Sequence, residues 1–496
     1  MQSPLVALKK TALWACFLAL PVMVSGQNNF SPGGSDYFIA GHLPGDQTWP
    51  QAAIAPSGGY LVWQENAIDT NGLGIAAEAL NANLTPTGSR FRVNVQQAGD
   101  QEKPAVALLQ GGGAVIVWQG GTFGFQKIYA RFLGANGSFL SSTDILVNTY
   151  TNQFQIHPSV ATLTDGTVVV VWASYGEDGD MQGVFGQRLS ATGKRLGAEF
   201  QINQWTYRNQ RTPAVAALAN GNFVVVWISE LQRGPVSVDT YARLFDSTGT
   251  ALGGEFPVNT STTNLCADPS VAASSQGGFA VAWGQKAGVF HAVQNQTTGF
   301  PATAQSTNGW DIYGRLYQSD GTPAGLPIRL NSYTYGDQYA PRIQAFGKNY
   351  LTVWQSLAQD GSREGVFGQF LMGDGSLEGV EFQVNTTSVS RQIDASVATD
   401  GVNRFLVTWT SFVVNDANFD LLAREYDLIT VQMNQTPQGL NVSWNTQPGY
   451  SYQVQVSADG KTWSNVGALR AATGLTDSVT VNPTNGMSLY RVIRPQ

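Results

Sequence analysis

Six aromatic residues, Trp49, Tyr150, Trp205, Tyr207, Tyr333 and Tyr335, fall in polar connecting segments beside Asn, Gln and Arg. A flat ring next to amide and guanidinium groups suits a sugar, which is apolar on its ring face and polar at its edge. The competing reading is that these rings pack between neighbouring units, because buried aromatics dominate core energetics. A second set, Glu177, Asp178, Asp180 and Asp360, offers carboxylate oxygens on Gly-containing turns, the ligand type that Ca²⁺ takes. Its ligand count is low and its spacing matches no established calcium loop, so solvated turns compete with a metal site. No other cofactor is expected. The three histidines, His42, His157 and His291, are far apart in the chain. No zinc-ligand or nucleophile motif accompanies them.

The elements that position these residues are read from a repeat. Residues 158–203 contain four short apolar runs, with Asp165-Gly166 between the first two and Thr192-Gly193 between the last two. Runs of this length punctuated by x-Gly pairs read as strands joined in hairpins. The same text recurs. Its best ruler is a Trp at the end of the second run, at Trp63, Trp118, Trp172, Trp227, Trp283, Trp354 and Trp409, with gaps of 55, 54, 55, 56, 71 and 55 residues. The long gap holds an insertion within residues 286–309. A fixed period near this length with four strands per unit is the signature of a β-propeller. The chain is therefore expected to be all-β, a seven-bladed propeller followed by a small β-sandwich.

Further markers repeat with the Trp. A Gln stands three residues before a Pro in five copies, Gln47, Gln101, Gln155, Gln210 and Gln338; Cys266 replaces the Gln once, and Ala395 replaces the Pro after Gln392. The fourth run ends in Asn94, Asn148, Asn203, Asn259, Asn331 or Asn385. The seventh copy lacks a fourth run, and residues 36–40 supply one from the N-terminus. An N-terminal strand closing the last blade hides sheet edges that would otherwise pair with other chains.

The domains read as a signal peptide over 1–26, a linker over 27–34, the propeller over 35–427 and a fibronectin-III-like sandwich over 428–496 with Trp444 and Trp463 in its core. The leader has Lys9-Lys10, an apolar run and small residues at Ser25-Gly26, too short to span a membrane. Its removal leaves one cysteine, Cys266, so no intrachain disulfide is possible and stability rests on buried apolar surface. Net charge is −7 for the whole chain. That argues against nucleic acid and anionic membranes as partners. No transmembrane anchor is expected, and a monomer is.

The repeat text resembles the tandem repeats of secreted or surface bacterial proteins, adhesin-like chains whose units run GDQxxPSVAxLxDGxFVVVW, then VFGQR, then GxEFxVN. Asp337-Gln338, residues 213–216, 220–227, 360–369 and 381–385 carry the match. The resemblance implies export to an extracellular or periplasmic location and adhesion, and brings no catalytic residues. Propeller connectivity puts the longer loops, between strands two and three and between successive blades, on one face. Varied loops on a rigid scaffold are where binding concentrates. The innermost strands read as small residues, such as Ala105-Val106-Ala107 and Ala214-Val215-Ala216, with Arg342 and Gln344 as exceptions. An inner wall without carboxylates offers no paired acids for glycosidic or proton-transfer work. The expectation is a secreted, non-catalytic protein that recognises a glycan or surface polymer through the loop-rich face. The alternatives are a scaffold for a protein partner and, behind it, a propeller glycoside hydrolase or lyase using loop carboxylates.

Overall fold

The computed structural model describes residues 29–287, 309–413, 418–446, 450–459, 462–482 and 488–495. The leader, His291 and most of the insertion lie outside them. The described chain is all-β and divides into two compact units, Pro32–Asp427 and, after it, Leu428–Pro495.

In the first unit each copy of the repeat forms one antiparallel meander. Blade three is typical: Gln155–Thr162, Val168–Tyr175, Gln182–Leu189 and Phe200–Gln201 pair in chain order. Its first hairpin closes on Asp165, whose carboxylate accepts from Thr167 N–H at 2.8 Å. Seven such groups occur, the fourth and fifth joined by one parallel bridge, Val238↔Leu265. The N-terminus completes the seventh, with Tyr37↔Ala423 and Phe38↔Leu422 in register. Asp36 then accepts from Thr386 N–H at 2.9 Å, the same blade-to-blade bond that Asp144 makes to Val95 N–H and Glu381 to Ser332 N–H. The borrowed strand thus reproduces both the pairing and the bond of an internal one.

The repeated residues explain the repeated structure. All seven ruler Trp side chains are fully buried between blades. In six blades the Asn after the short fourth strand extends the ladder with its side chain: Asn203 Oδ1 accepts from Val184 N–H at 2.7 Å, and Asn94, Asn148, Asn259, Asn331 and Asn385 do likewise. The marker Gln folds back on the loop before it, as Gln210 Nε2 donates to Tyr207 O at 3.0 Å. A buried amide with every partner made fixes one loop geometry. The strand-three arginines join blades: Arg243 Nη1 donates to Ile202 O at 2.8 Å, and Arg315 Nη1 to Val258 O at 2.8 Å.

The second unit has two three-stranded antiparallel sheets. One contains Val431–Thr436, Gly439–Asn445 and Thr476–Val481; the other contains Ser464–Ala471, Ser451–Ser457 and Leu489–Ile493. Trp444, Tyr452 and Tyr490 fill its core. Trp463 is not in that core. It is half-buried, with the Arg491 guanidinium 4.3 Å from its ring centre.

Candidate functional site

Each innermost strand carries a β-bulge at the same place. The pairing slips between Thr48 and Gln51, Glu102 and Ala105, Ile156 and Ser159, Arg211 and Ala214, Ala267 and Ser270, Tyr339 and Arg342, and Ile393 and Ser396. The first unpaired residue of each bulge has left-handed backbone: Trp49, Lys103, His157, Thr212, Asp268, Ala340 and Asp394, with φ between 48° and 57°. Non-glycine residues enter this region at a cost and stay only where the surroundings hold them. Here a neighbouring blade holds the N–H: Lys103 N donates to Gln64 Oε1 at 2.8 Å, His157 N to Gln119 Oε1 at 2.9 Å, and Trp49 N to Thr410 Oγ1 at 3.2 Å. A bulge re-aims a side chain. Five of these seven face the axis.

Five of them, Trp49, Lys103, His157, Thr212 and Asp268, line one cavity of about 270 Å³, which Arg342 also enters. Asp394 stands beside it. Lys103 Nζ lies 2.9 Å from His157 Nε2 and 4.8 Å from the centre of the Trp49 ring. In the sixth blade the bulge residue is the small Ala340, and Arg342, two residues on along the same strand, lines the cavity. Its Nη1 donates to Pro341 O at 2.9 Å, and among the described residues it forms no ion pair within salt-bridge distance.

The enclosed position sets the electrostatics. Burial lowers the His157 imidazole to about 3, helped by the positive charges of Lys103, Arg211 and Arg342, so the ring is neutral at physiological pH. Burial also lowers Lys103, against the pull of Glu102, Asp268 and Asp394. Burial raises the Asp394 carboxyl, opposed by Arg342, by hydrogen bonds from Trp49 N–H and the Thr410 hydroxyl, and by Lys103. Arg342 is pushed down by burial with Asp268 and Asp394 opposing; a guanidinium nonetheless stays charged. Two basic nitrogens at hydrogen-bond distance share a proton rather than hold one more each. The cavity therefore joins a lysine whose amine form burial favours, the Asp268 carboxyl, a fixed cation and an aromatic face, with the Asp394 carboxyl raised by burial close enough to feel Lys103 and Arg342.

The six aromatics fall into separate groups. Trp49 is at the axis, not in a rim loop. Trp205 and Tyr207 meet edge to face at 6.3 Å, with Arg208 5.0 Å from the Tyr207 ring. Tyr333 and Tyr335 pair at 6.5 Å, Tyr335 being 75% exposed. Tyr150 is fixed beside the Asn latch, its carbonyl accepting from Asn148 Nδ2 at 2.7 Å. The carboxylates considered for Ca²⁺ are engaged locally. Asp178 Oδ2 accepts from Asn203 Nδ2 at 3.3 Å, Asp360 Oδ2 from Asn385 Nδ2 at 3.2 Å, and Asp180 Oδ2 from Arg208 N–H at 2.8 Å. Glu177 faces Glu199; burial, and after it the neighbouring carboxyl, raises Glu177 to about 9. Among the described residues no group of three or more His, Cys, Asp or Glu is placed to hold a metal ion.

No protein-family model matches the chain, and no curated protein does. Solved structures similar to it include an α-L-arabinanase of Penicillium chrysogenum complexed with arabinobiose, 14% identical, TM-score 0.41, over 80% of this chain and 96% of that one. A polysaccharide lyase, Uly1, is 10% identical with a TM-score of 0.48, over 79% and 90%. An α-L-arabinofuranosidase of Fusarium graminearum is 12% identical with a TM-score of 0.41, over 65% and 92%. The likeness is one of general fold. The expectation of a non-catalytic binding protein, with enzyme activity the less favoured alternative, does not stand: it required an axis without carboxylates, whereas Asp268 lines the axial cavity with Lys103 and His157.

Proposed function

We propose that the protein is an enzyme that cleaves a polysaccharide by acid–base chemistry at the axial cavity. One observation carries this reading: seven bulges of one backbone geometry present seven side chains that include two carboxylates, a lysine, a neutral histidine and a tryptophan. Where the fold alone is served, the repeat keeps one residue type. Lys103, whose amine form burial favours, accepts a proton, and Asp394, its carboxyl raised by burial, donates one. Trp49 offers a half-buried ring face for a sugar, and the Trp205–Tyr207 and Tyr333–Tyr335 pairs extend aromatic surface along the loops. A glycan chain lying across this face reaches the axis with flat rings on either side of it.

The test is release of new chain ends from a panel of neutral and acidic polysaccharides by the full-length protein and by Lys103→Ala and Asp394→Asn. A positioned general acid or base contributes about 10²–10⁴-fold, so each variant is expected to lose that much of kcat with its melting temperature kept. Cleavage of no polysaccharide, or full activity in both variants, would sink the reading.

A further inference from the structure

Arg342 carries a guanidinium on the wall of the axial cavity, where most of the paired inner-strand residues are small. Its guanidinium carries five N–H donors in a planar fork. One interaction is made, Nη1 to Pro341 O at 2.9 Å. Asp268 and Asp394 offset its charge through space, yet neither comes within salt-bridge distance among the described residues. Lys103 lies on the same cavity, its nitrogen 2.9 Å from His157 Nε2. Arg342 therefore keeps donors in a partly enclosed polar space. His157 Nδ1 is also buried there without a protein partner. A buried polar atom left unpaired costs free energy, as at His157 Nδ1, and guanidinium N–H groups facing a partly enclosed cavity without a protein acceptor suit an acceptor that arrives from outside. A neutral sugar hydroxyl meets one donor at a time, whereas a carboxylate accepts two from the guanidinium edge.

We infer that the sugar bound at the axis is a uronic acid, its carboxylate held by Arg342 with Lys103 beside it, and that its chain is broken by β-elimination. This rests on the reading of the cavity as a glycan-cleaving site. A carboxylate neutralised by a fixed cation makes the adjacent ring C–H acidic. The Lys103 amine, the form its burial favours, takes that proton, with His157 Nε2 held against it at 2.9 Å. The C–H electron pair becomes a ring carbon–carbon double bond, the bond from the next carbon to the glycosidic oxygen breaks with its electrons leaving on oxygen, and that oxygen takes the Asp394 proton. Atoms and electrons balance with no water, oxidant or metal consumed. The two ends released are one ordinary chain end and one unsaturated uronate.

The experiment compares polygalacturonate and alginate with unsubstituted arabinan. Binding is followed by calorimetry with the full-length protein, Arg342→Gln and Arg342→Lys, and products are followed by ultraviolet absorbance of the conjugated double bond. Thermal melting verifies that each variant is folded. The expected result is that an acidic polymer binds and yields the absorbing product, that Arg342→Gln weakens binding at least tenfold, and that Arg342→Lys restores part of it. Arabinan bound and cleaved equally by wild type and Arg342→Gln would overturn the inference and leave the enzyme reading standing. Acidic polymer bound through Arg342 but cut without an absorbing product would overturn the elimination step. Acidic polymer bound through Arg342 and never cut would keep the substrate class and remove the enzyme reading. Should neither polymer class bind in these arms, the uronate assignment fails.

Discussion

Two sets of seven residues, one per blade, behave in opposite ways. The ruler Trp residues are identical in every blade and fully buried. The bulge residues share one backbone geometry and differ from blade to blade, Trp49, Lys103, His157, Thr212, Asp268, Ala340 and Asp394. Both sets repeat in space, but only the first repeats in chemistry. The Trp set solves the same problem seven times, filling the wedge between neighbouring sheets. Most of the bulge set faces one shared cavity, where copies of one charge would repel and copies of one apolar group would close the space. Sameness marks the scaffold, and variety on the same backbone marks the site.

Substitutions at the two sets are expected to separate stability from function. Trp227→Ala removes a fully buried ring, so it should cost about 3–5 kcal/mol in chemical denaturation, the range for a large aromatic deleted from a core. Lys103→Ala should cost the fold little, since it removes a charge whose burial is already unfavourable, while abolishing turnover. A stable Trp227→Ala protein, or a Lys103→Ala protein that fails to fold, would break the distinction. The Asn set belongs with the Trp set and should follow it at smaller size. Asn203→Ala leaves Val184 N–H buried without its acceptor, which should cost about 1–3 kcal/mol, read as a lower denaturation midpoint with an unchanged slope.

The scaffold was legible in the sequence because its code is local. A Trp at the end of strand two, an Asn after strand four and a Gly in each tight turn act within one blade, and repetition supplies seven readings of each. Closure by residues 36–40 was legible for the same reason, since Asp36-Tyr37 takes the place of Glu199-Phe200. The axial site was not. Alternation along a strand predicts where side chains point only while the register holds, and the bulge breaks it at the residue before the repeated Pro. Lys103, Asp268 and Asp394 therefore read as ordinary strand or turn positions, His157 as a repeat position of no chemistry, and Trp49 as one more loop aromatic. The signal was present as a column: aligned on the marker Gln, the position two residues on holds a different side chain in nearly every copy. Trp463 misled in the opposite direction, because a Trp after a hairpin turn reads as core and is half-buried under Arg491.

The smallest effect tests whether one variable position outside the axis is scaffold after all. Five residues after the ruler Trp, blade four has Gln232 and blade six has Gln359, each donating Nε2 to a carboxylate on strand four, Glu255 at 2.6 Å and Glu381 at 2.9 Å. Blade three has Glu177 there, facing Glu199. Glu177 Oε2 and Glu199 Oε1 are both buried without a donor from any other group. One proton held between the two carboxyls satisfies both; burial, and after it the Glu199 carboxyl, raises Glu177 to about 9. The sign follows from linkage. A carboxyl whose folded value lies above its unfolded one stabilises the fold below the unfolded value near 4.5, and that contribution is lost as pH rises toward 9. Glu177→Gln puts a permanent donor where the proton sat. The substitution should leave melting unchanged at acid pH and raise it progressively between pH 5 and 9, by a few degrees at the upper end. A variant that melts lower than wild type at pH 9 would show that Glu177 is held there for something other than the joint between blades two and three.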